Sequence, residues 1–435
     1  VLAGVLLLLA LGITIGVYGY KDAVPEKGPN PQATSPSTVQ GNLNAAERDL
    51  AAAENDDAET EQSSDTDRDV GQDLEENTGL EEKKPVASGN DQPVKELPVY
   101  YANFKVKYLD NGCKLVTDGE NRRLLLVPRG QKAPEGIIAD KTVYIPLENV
   151  MALSSTFVGA MVKLNVLDSL RAVSLSKNNW HIPQVKEAMS RGAIKYVGGD
   201  NMEPPDYELV KSIKPELVFV YTGEVGQRYI MRKFDELGIP YAVNNEWLEP
   251  NYLGRMEWIK FTAAFYNKEP EAEEIFNNAV KSINQTKAMV EGLKKPKVAW
   301  GLSWMGKVYV ANADSYVGRW IADCGGDYVF KNIGRGSDTQ VSMEDFYALA
   351  KDADILIFSS TTDYMKDPTI RGIVKDNPLF ADIKAVKNGD VWAYAPDWWQ
   401  TIPETDLIVR DIAAVFHPEK FPGHKTTKLV KLSPN

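Results

Sequence analysis

Pro205-Asp206-Tyr207-Glu208-Leu209-Val210-Lys211-Ser212-Ile213-Lys214-Pro215-Glu216 runs directly into Leu217-Val218-Phe219-Val220-Tyr221. About 135 residues later, Ser342-Met343-Glu344-Asp345-Phe346-Tyr347-Ala348-Leu349-Ala350-Lys351-Asp352-Ala353-Asp354 runs into Ile355-Leu356-Ile357-Phe358. Each stretch reads as a short amphipathic helix with a glutamate in its first turn, a polar turn, and an apolar run suited to a buried parallel strand. A chain that uses this unit once in each half is expected to fold as two similar α/β lobes. Glu208 and Glu344 then occupy equivalent places on the two lobes. An acid near a helix N-terminus also complements the helix dipole; the duplication is what points beyond that local role.

Working outward, the same alternation continues. Val150–Ser154 is expected as a strand, followed by a helix over Phe157–Leu164, a strand over Ala172–Ser176 and a helix over Pro183–Ser190. After the first duplicated unit come a helix over Tyr229–Leu237, ended by Gly238, and a strand over Tyr241–Asn244. Such alternation argues a parallel sheet covered by helices. Upstream, Asp110-Asn111-Gly112 and Asp118-Gly119-Glu120-Asn121 separate short apolar runs and predict β-hairpins. From Glu271 to Lys294, apolar residues recur near a 3.6 period and predict a helix of about 36 Å, long enough to brace two lobes. The second lobe is expected to run through strands at Val298–Leu302 and Val308–Ala311, a helix over Tyr316–Cys324, the second unit, Val391–Tyr394 and a helix over Asp406–Phe416. The tail beyond Pro422 reads as loose. The expected fold class is α/β, with two Rossmann-like lobes joined by a single long interlobe helix. The boundaries are 97–268 for the N-terminal lobe (97–147 its hairpin entry), 269–295 for the helix and 296–435 for the C-terminal lobe.

The 435 residues carry a net charge of −12, and its location matters more than its size. Lys21–Glu96 holds 19 acids and 7 bases, is poor in aromatics and lacks periodicity, so it reads as a disordered acidic tether. Of the chain's 61 acids and 49 bases, 42 of each remain outside it. The body is electrically balanced, and no basic stripe points to nucleic acid. Val1–Tyr20 is free of charge and long enough to span a bilayer core of roughly 30 Å. It is expected to be a signal peptide or membrane anchor, with the absence of a small-x-small cleavage pattern favouring an anchor. The expected location is the extracytoplasmic face of the cell membrane, anchored or secreted. No cysteine precedes Cys113, which leaves no lipid-modified cysteine just after the apolar run. Cys113 and Cys324 lack the spacing of a metal finger or a redox pair, and they fall in different lobes, which argues against a disulfide.

Several segments are familiar together: Val150–Thr156, Lys214–Val218, Leu253–Lys260, Ala322–Gly326 and Val386–Val391. In this order they resemble the periplasmic-binding family that serves ABC importers of ferric siderophores, haem and vitamin B12, over about Val150 to Phe416. The resemblance implies a stiff bilobal shape, a ligand held in the cleft, no catalysis, and a glutamate on each lobe that pairs with permease arginines. Glu208 and Glu344 match those positions. It also implies partners, namely a permease and its ATPase subunits, and a monomeric carrier.

In α/β lobes, ligands bind beyond the carboxyl ends of the strands. Those ends carry Ser154, Ser155, Trp180, His181, Tyr221 and Trp247 in the first half, and Trp304, Arg335, Tyr364 and Trp398 in the second. Aromatics bury wide area at low entropic cost and suit a large flat or catecholate ligand; they equally suit a core. Arg335, flanked by glycines, is placed to bond an anionic chelate. Arg255 reads as structural. His181 is the one histidine in a strand-end loop, since His417 and His424 follow the last helix. With no clustered His, Cys, Asp and Glu, no resident metal or cofactor is expected. Two other classes stay open, a chelatase-type enzyme on the same lobes and a surface adhesion domain, although no nucleophile elbow or phosphate-binding glycine loop is present.

Overall fold

The structure is a computed structural model that describes residues 95–199, 204–222, 225–304 and 307–435. The expected anchor at 1–20 and nearly all of the tether at 21–96 lie outside the described residues. The chain begins with β1 (Lys95–Glu96), β2 (Lys105–Tyr108), β3 (Lys114–Thr117), β4 (Arg123–Pro128) and β5 (Lys141–Ile145). These form a five-stranded sheet in sequential order. The Asn-Gly and Asp-Gly turns do join antiparallel pairs, but β5 returns parallel to β4, so the segment is a mixed sheet of its own rather than a set of hairpins.

The first lobe follows with β6 (Val150–Ala152), α1 (Ser155–Lys163), β7 (Leu170–Val173), α2 (Pro183–Ser190), β8 (Lys195–Tyr196), α3 (Tyr207–Ile213), β9 (Leu217–Val220), α4 (Val225–Leu237) and β10 (Tyr241–Val243). Its strands lie in the order β10-β9-β6-β7-β8, all parallel. The turn after β3 closes one edge of this sheet. Gly119 N–H donates to Val243 O at 2.9 Å, and the buried Asp118 carboxylate accepts Val243 N–H at 3.0 Å. A Cβ on Gly119 would lie 2.9 Å from Asn245 Cβ, so the approach requires glycine there. An edge strand's unpaired groups are thereby covered.

Two helices link the halves: α5 (Tyr252–Ala264), in which every residue but Leu253 is buried, and α6 (Glu269–Val290). Along α6, Ala272 packs with Ala160 and Ile259 on the first lobe, while Ile283 and Val290 join the core of the second. The long helix therefore exists and braces both lobes. It ends before Gly292, whose φ of +72° is left-handed, and not at Pro296.

The second lobe contains β11 (Lys297–Trp304), β12 (Lys307–Ala311), α7 (Tyr316–Asp323), β13 (Asp327–Tyr328), β14 (Asp338–Val341), α8 (Met343–Ala350), β15 (Ile355–Thr361), α9 (Ile370–Asp376), α10 (Lys384–Asn388), β16 (Val391–Tyr394), α11 (Thr405–Phe416) and β17 (Leu429–Lys431). The strand order is β14-β12-β11-β15-β16-β17, with β13 beside β11. The tail is not loose: β17 pairs antiparallel with β16, and Leu429 and Leu432 are buried. Cys113 and Cys324 are both buried and free.

The duplicated unit is confirmed in detail. Asp206 and Ser342 cap α3 and α8, each accepting a backbone N–H three residues on. At the strand starts, Glu216 accepts from Glu148 N–H, and Asp354 accepts from Lys297 N–H.

Candidate functional site

The carboxyl ends of the two sheets bring loops of both lobes into contact. After β7 a 3-10 turn, Lys177–Asn179, delivers His181. Its Nε2 lies 2.9 Å from Asp363 Oδ2, in the loop after β15. The His181 backbone N–H donates to Gln400 Oε1 at 2.8 Å, and Gln400 Nε2 donates to Asn179 O at 2.9 Å. Gln400 is buried. One buried amide of the second lobe therefore fixes the backbone on both sides of Trp180.

Ser154 caps α1, its Oγ accepting Thr156 N–H at 3.4 Å, and Ser155 opens that helix half-buried. Trp247 is half-buried and donates to Thr222 O at 3.0 Å. Asn245 holds that corner from behind, accepting Thr222 N–H and donating to Thr222 Oγ1 and to Gly119 O. Tyr221 and Tyr364 are half-buried. Arg335 is exposed and makes no ion pair with a described residue; its carbonyl accepts from Asn312 Nδ2 at 2.9 Å. The side chain of Trp304 lies outside the described residues.

Two expected cleft aromatics are core residues instead. Trp180 is fully buried, and its indole N–H donates to Leu175 O at 3.0 Å, folding the ring back under its own loop. Trp398 is fully buried and stacks on Tyr394, with ring centres 4.0 Å apart and planes within 3°. Neither presents a face to a ligand.

Arg255 is structural, as expected. It is buried, bonds Glu246 Oε2 at 2.8 Å, and lies 4.3 Å from the Tyr316 ring centre. Burial alone would lower the guanidinium pKa, but the Glu246 carboxylate outweighs it and pushes the group upward. An α5 cation is thereby seated on an α7 aromatic, and the lobes are tied at that point. A second tie is Glu404, which pairs with Lys163 of α1 at 2.8 Å and with Lys428 at 2.7 Å. Burial would raise this carboxyl, yet the hydrogen bonds from Lys163 and Lys428 hold it below its usual 4.5. Because the folded-state value is the lower one, the stabilisation is complete above about pH 4.5 and is lost as the pH falls through that lower value. Glu404→Gln should therefore melt at a lower temperature than the parent at pH 7, with the gap narrowing as the pH falls below about 4.5. Thermal unfolding across that range checks it; a gap that is constant with pH would refute the assignment.

Asp363 and Gln400 went unread in the sequence. Both sit in strand-end loops beside aromatics, and only the partner 182 or 219 residues away reveals them. Glu208 and Glu344 are exposed in the first turns of α3 and α8, Glu208 with Lys211 at 3.7 Å.

Two lobes whose strand-end loops meet at His181 define a bilobal α/β protein, and comparison with known proteins gives the class a family. The family model described as periplasmic binding protein matches residues 150–397. The chain is 34% identical over 347 residues to an uncharacterized lipoprotein of Methanocaldococcus jannaschii, covering 76% of this chain and 80% of the relative. It is 23% identical to an Fe(3+)-citrate-binding protein of Bacillus subtilis, covering 58% and 78%. In fold it is similar to the Ni(II)-bound CeuE protein of Helicobacter pylori, with a TM-score of 0.53 at 19% identity over 68% of this chain and 92% of that one. The chain belongs to the periplasmic binding protein family. The sheet β1–β5 precedes the matched region.

Proposed function

We propose that this chain is the extracytoplasmic substrate-binding component of an ABC importer, which captures an iron chelate of the ferric siderophore type between its lobes and delivers it to the permease and its ATPase subunits. The observation that carries the reading is the seam itself. Strand-end loops of both lobes meet at His181, Asp363 and Gln400, where ligands of such α/β lobes bind. The family match and the relative that binds Fe(3+)-citrate support the ligand class. The extracytoplasmic, membrane-tethered placement is supported by the family and by the relative's name as a lipoprotein. Ser154, Ser155, His181, Tyr221, Trp247, Arg335 and Tyr364 are the proposed lining. Tryptophan fluorescence of the full chain against a panel of ferric catecholate, ferric hydroxamate, ferric citrate, haem and cobalamin tests the reading. Saturable quenching by a ferric chelate supports it; a response to haem or cobalamin alone replaces the ligand, and silence throughout rejects the carrier.

Glu208 and Glu344 are proposed to dock the permease. Exposed acids contribute little to folding but orient approach to a basic surface. Glu208→Ala and Glu344→Ala should each weaken association with the permease, the double variant more than either. Chelate affinity should stay within about twofold, under roughly 0.5 kcal/mol. A tenfold loss of chelate affinity from either change would move that glutamate into the cleft and end the docking assignment.

A further inference from the structure

We propose that β5 (Lys141–Ile145) is a docking edge for a second copy of this chain, met strand to strand and antiparallel about a two-fold axis through Val143. The N-terminal sheet has the order β1-β2-β3-β4-β5, so β5 has a neighbouring strand on one side only. On that side the Ile145 carbonyl accepts Arg129 N–H at 2.9 Å. Because backbone groups alternate in direction along a strand, Thr142 and Tyr144 aim their N–H and C=O groups the other way. Among the described residues nothing bonds those groups. Both side chains are exposed, and Thr142, Val143 and Tyr144 line a groove of about 310 Å³ together with Arg129, Gly130 and Glu216.

The edge lacks the usual protection. Open edges ordinarily carry a charge, a proline or a bulge that discourages pairing, or are covered. The β10 edge is closed by the Asp118–Gly119 turn. Thr142-Val143-Tyr144, by contrast, is three strand-favouring residues with neither charge nor proline, and its register against β4 is unbroken.

The two ends of β5 say which occupant fits. Lys141 opens the strand and makes no ion pair with a described residue. Beyond the other end, Arg129 is shared by two acids, Glu148 at 3.4 Å and Glu216 at 2.6 Å. One end therefore carries a surplus cation and the other a surplus acid. Antiparallel pairing of two copies sets each cation against the other copy's acid, whereas parallel pairing would set like ends together. In the antiparallel register Thr142 exchanges backbone hydrogen bonds with Tyr144 of the second copy, and Val143 faces Val143. An aromatic opposite a β-branched residue adds to such a pair. The monomer implied by the family resemblance concerns the lobes, and β5 lies before the matched residues 150–397. None of the proposed lining residues is on β5, so association and ligand capture are separate properties.

Sedimentation equilibrium of the detergent-solubilised full chain tests the pairing. A short edge contact is weak, so the parent should pass from monomer to dimer as its concentration rises to about 100 μM. Thr142→Pro removes one outward N–H, a change an edge strand tolerates, and should weaken association at least tenfold without lowering the melting temperature. Lys141→Glu should also weaken it, and Lys141→Glu with Glu148→Lys, which restores the match of the ends, should recover the parent's behaviour. If Thr142→Pro does lower the melting temperature, the charge exchange decides instead. A parent that stays monomeric throughout, or a dimer indifferent to both Thr142→Pro and Lys141→Glu, would overturn the proposal. Hydrogen exchange exposes a different occupant: slow exchange of the Thr142 and Tyr144 N–H groups in a monomer would mean that another segment of the same chain fills the edge, and the pairing would fall.

Discussion

Replacing Glu257 with alanine is expected to cost about 3–5 kcal/mol of stability, the range seen when one partner of a buried ion pair is removed. This α5 carboxylate is fully buried and accepts from the backbone N–H groups of Tyr100, Tyr101 and Ala102. It also pairs with Lys260 at 2.9 Å, and Lys260 in turn donates to Pro98 O. With Lys260 and with Glu249, which accepts from Asn103, this side chain holds the segment between β1 and β2 against the helix that underlies both lobes. Its removal strands the buried Lys260 ammonium and leaves three backbone donors without their acceptor, which is costly. Chemical denaturation measures the loss. Adding Lys260→Met should recover part of it, because the orphaned charge goes with the lysine. A loss below about 1 kcal/mol, or no recovery in the double variant, would mean that the segment is held by something other than this pair.

Glu257 illustrates what the sequence discloses and what it does not. Its neighbour Arg255 reads correctly as structural, because it stands near the start of a helix beside Glu257. What it is paired with, Glu246, is a tertiary fact. Elements bounded by strong local rules fall where expected. Pro183 opens α2, and the run Val391–Tyr394 is β16 to the residue. The duplicated unit survives because its caps, Asp206 and Ser342, are written into the chain. β17 was illegible for the opposite reason. Lys428-Leu429-Val430-Lys431 has little periodicity of its own, and it is ordered by the free edge of β16 and by Asp411, which accepts the N–H groups of Thr427 and Lys428. The aromatics divide along the same line. A tryptophan at a strand end can turn outward or back beneath its loop, and residue type does not choose. For Trp180 the choice is made by the Leu175 carbonyl, and for Trp398 by Tyr394.

Gly159→Ala is expected to destabilise the protein by about 1–3 kcal/mol, the usual cost of overpacking, and the sign is the informative part. Gly159 lies inside α1, where local rules predict the reverse, since alanine is favoured over glycine in a helix interior by roughly 0.5–1 kcal/mol. The tertiary contact decides. A Cβ at this position would run into the backbone oxygen of Gln400 and sit 3.2 Å from its carbonyl carbon and 3.5 Å from Pro403 Cδ. These are backbone and ring atoms, which cannot swing aside like a flexible side chain. Either α1 or the 398–400 turn must retreat, and that turn carries the amide that holds His181. The variant should therefore lose melting temperature, and the His181 N–H should exchange with solvent faster. The Lys163–Glu404 pair on the same face should weaken too, so that Glu404→Gln costs less in this background than in the parent. A stabilised variant with an unchanged His181 N–H would show that the lobes are not in contact at Gly159, and the seam would then be wider than the structure draws it.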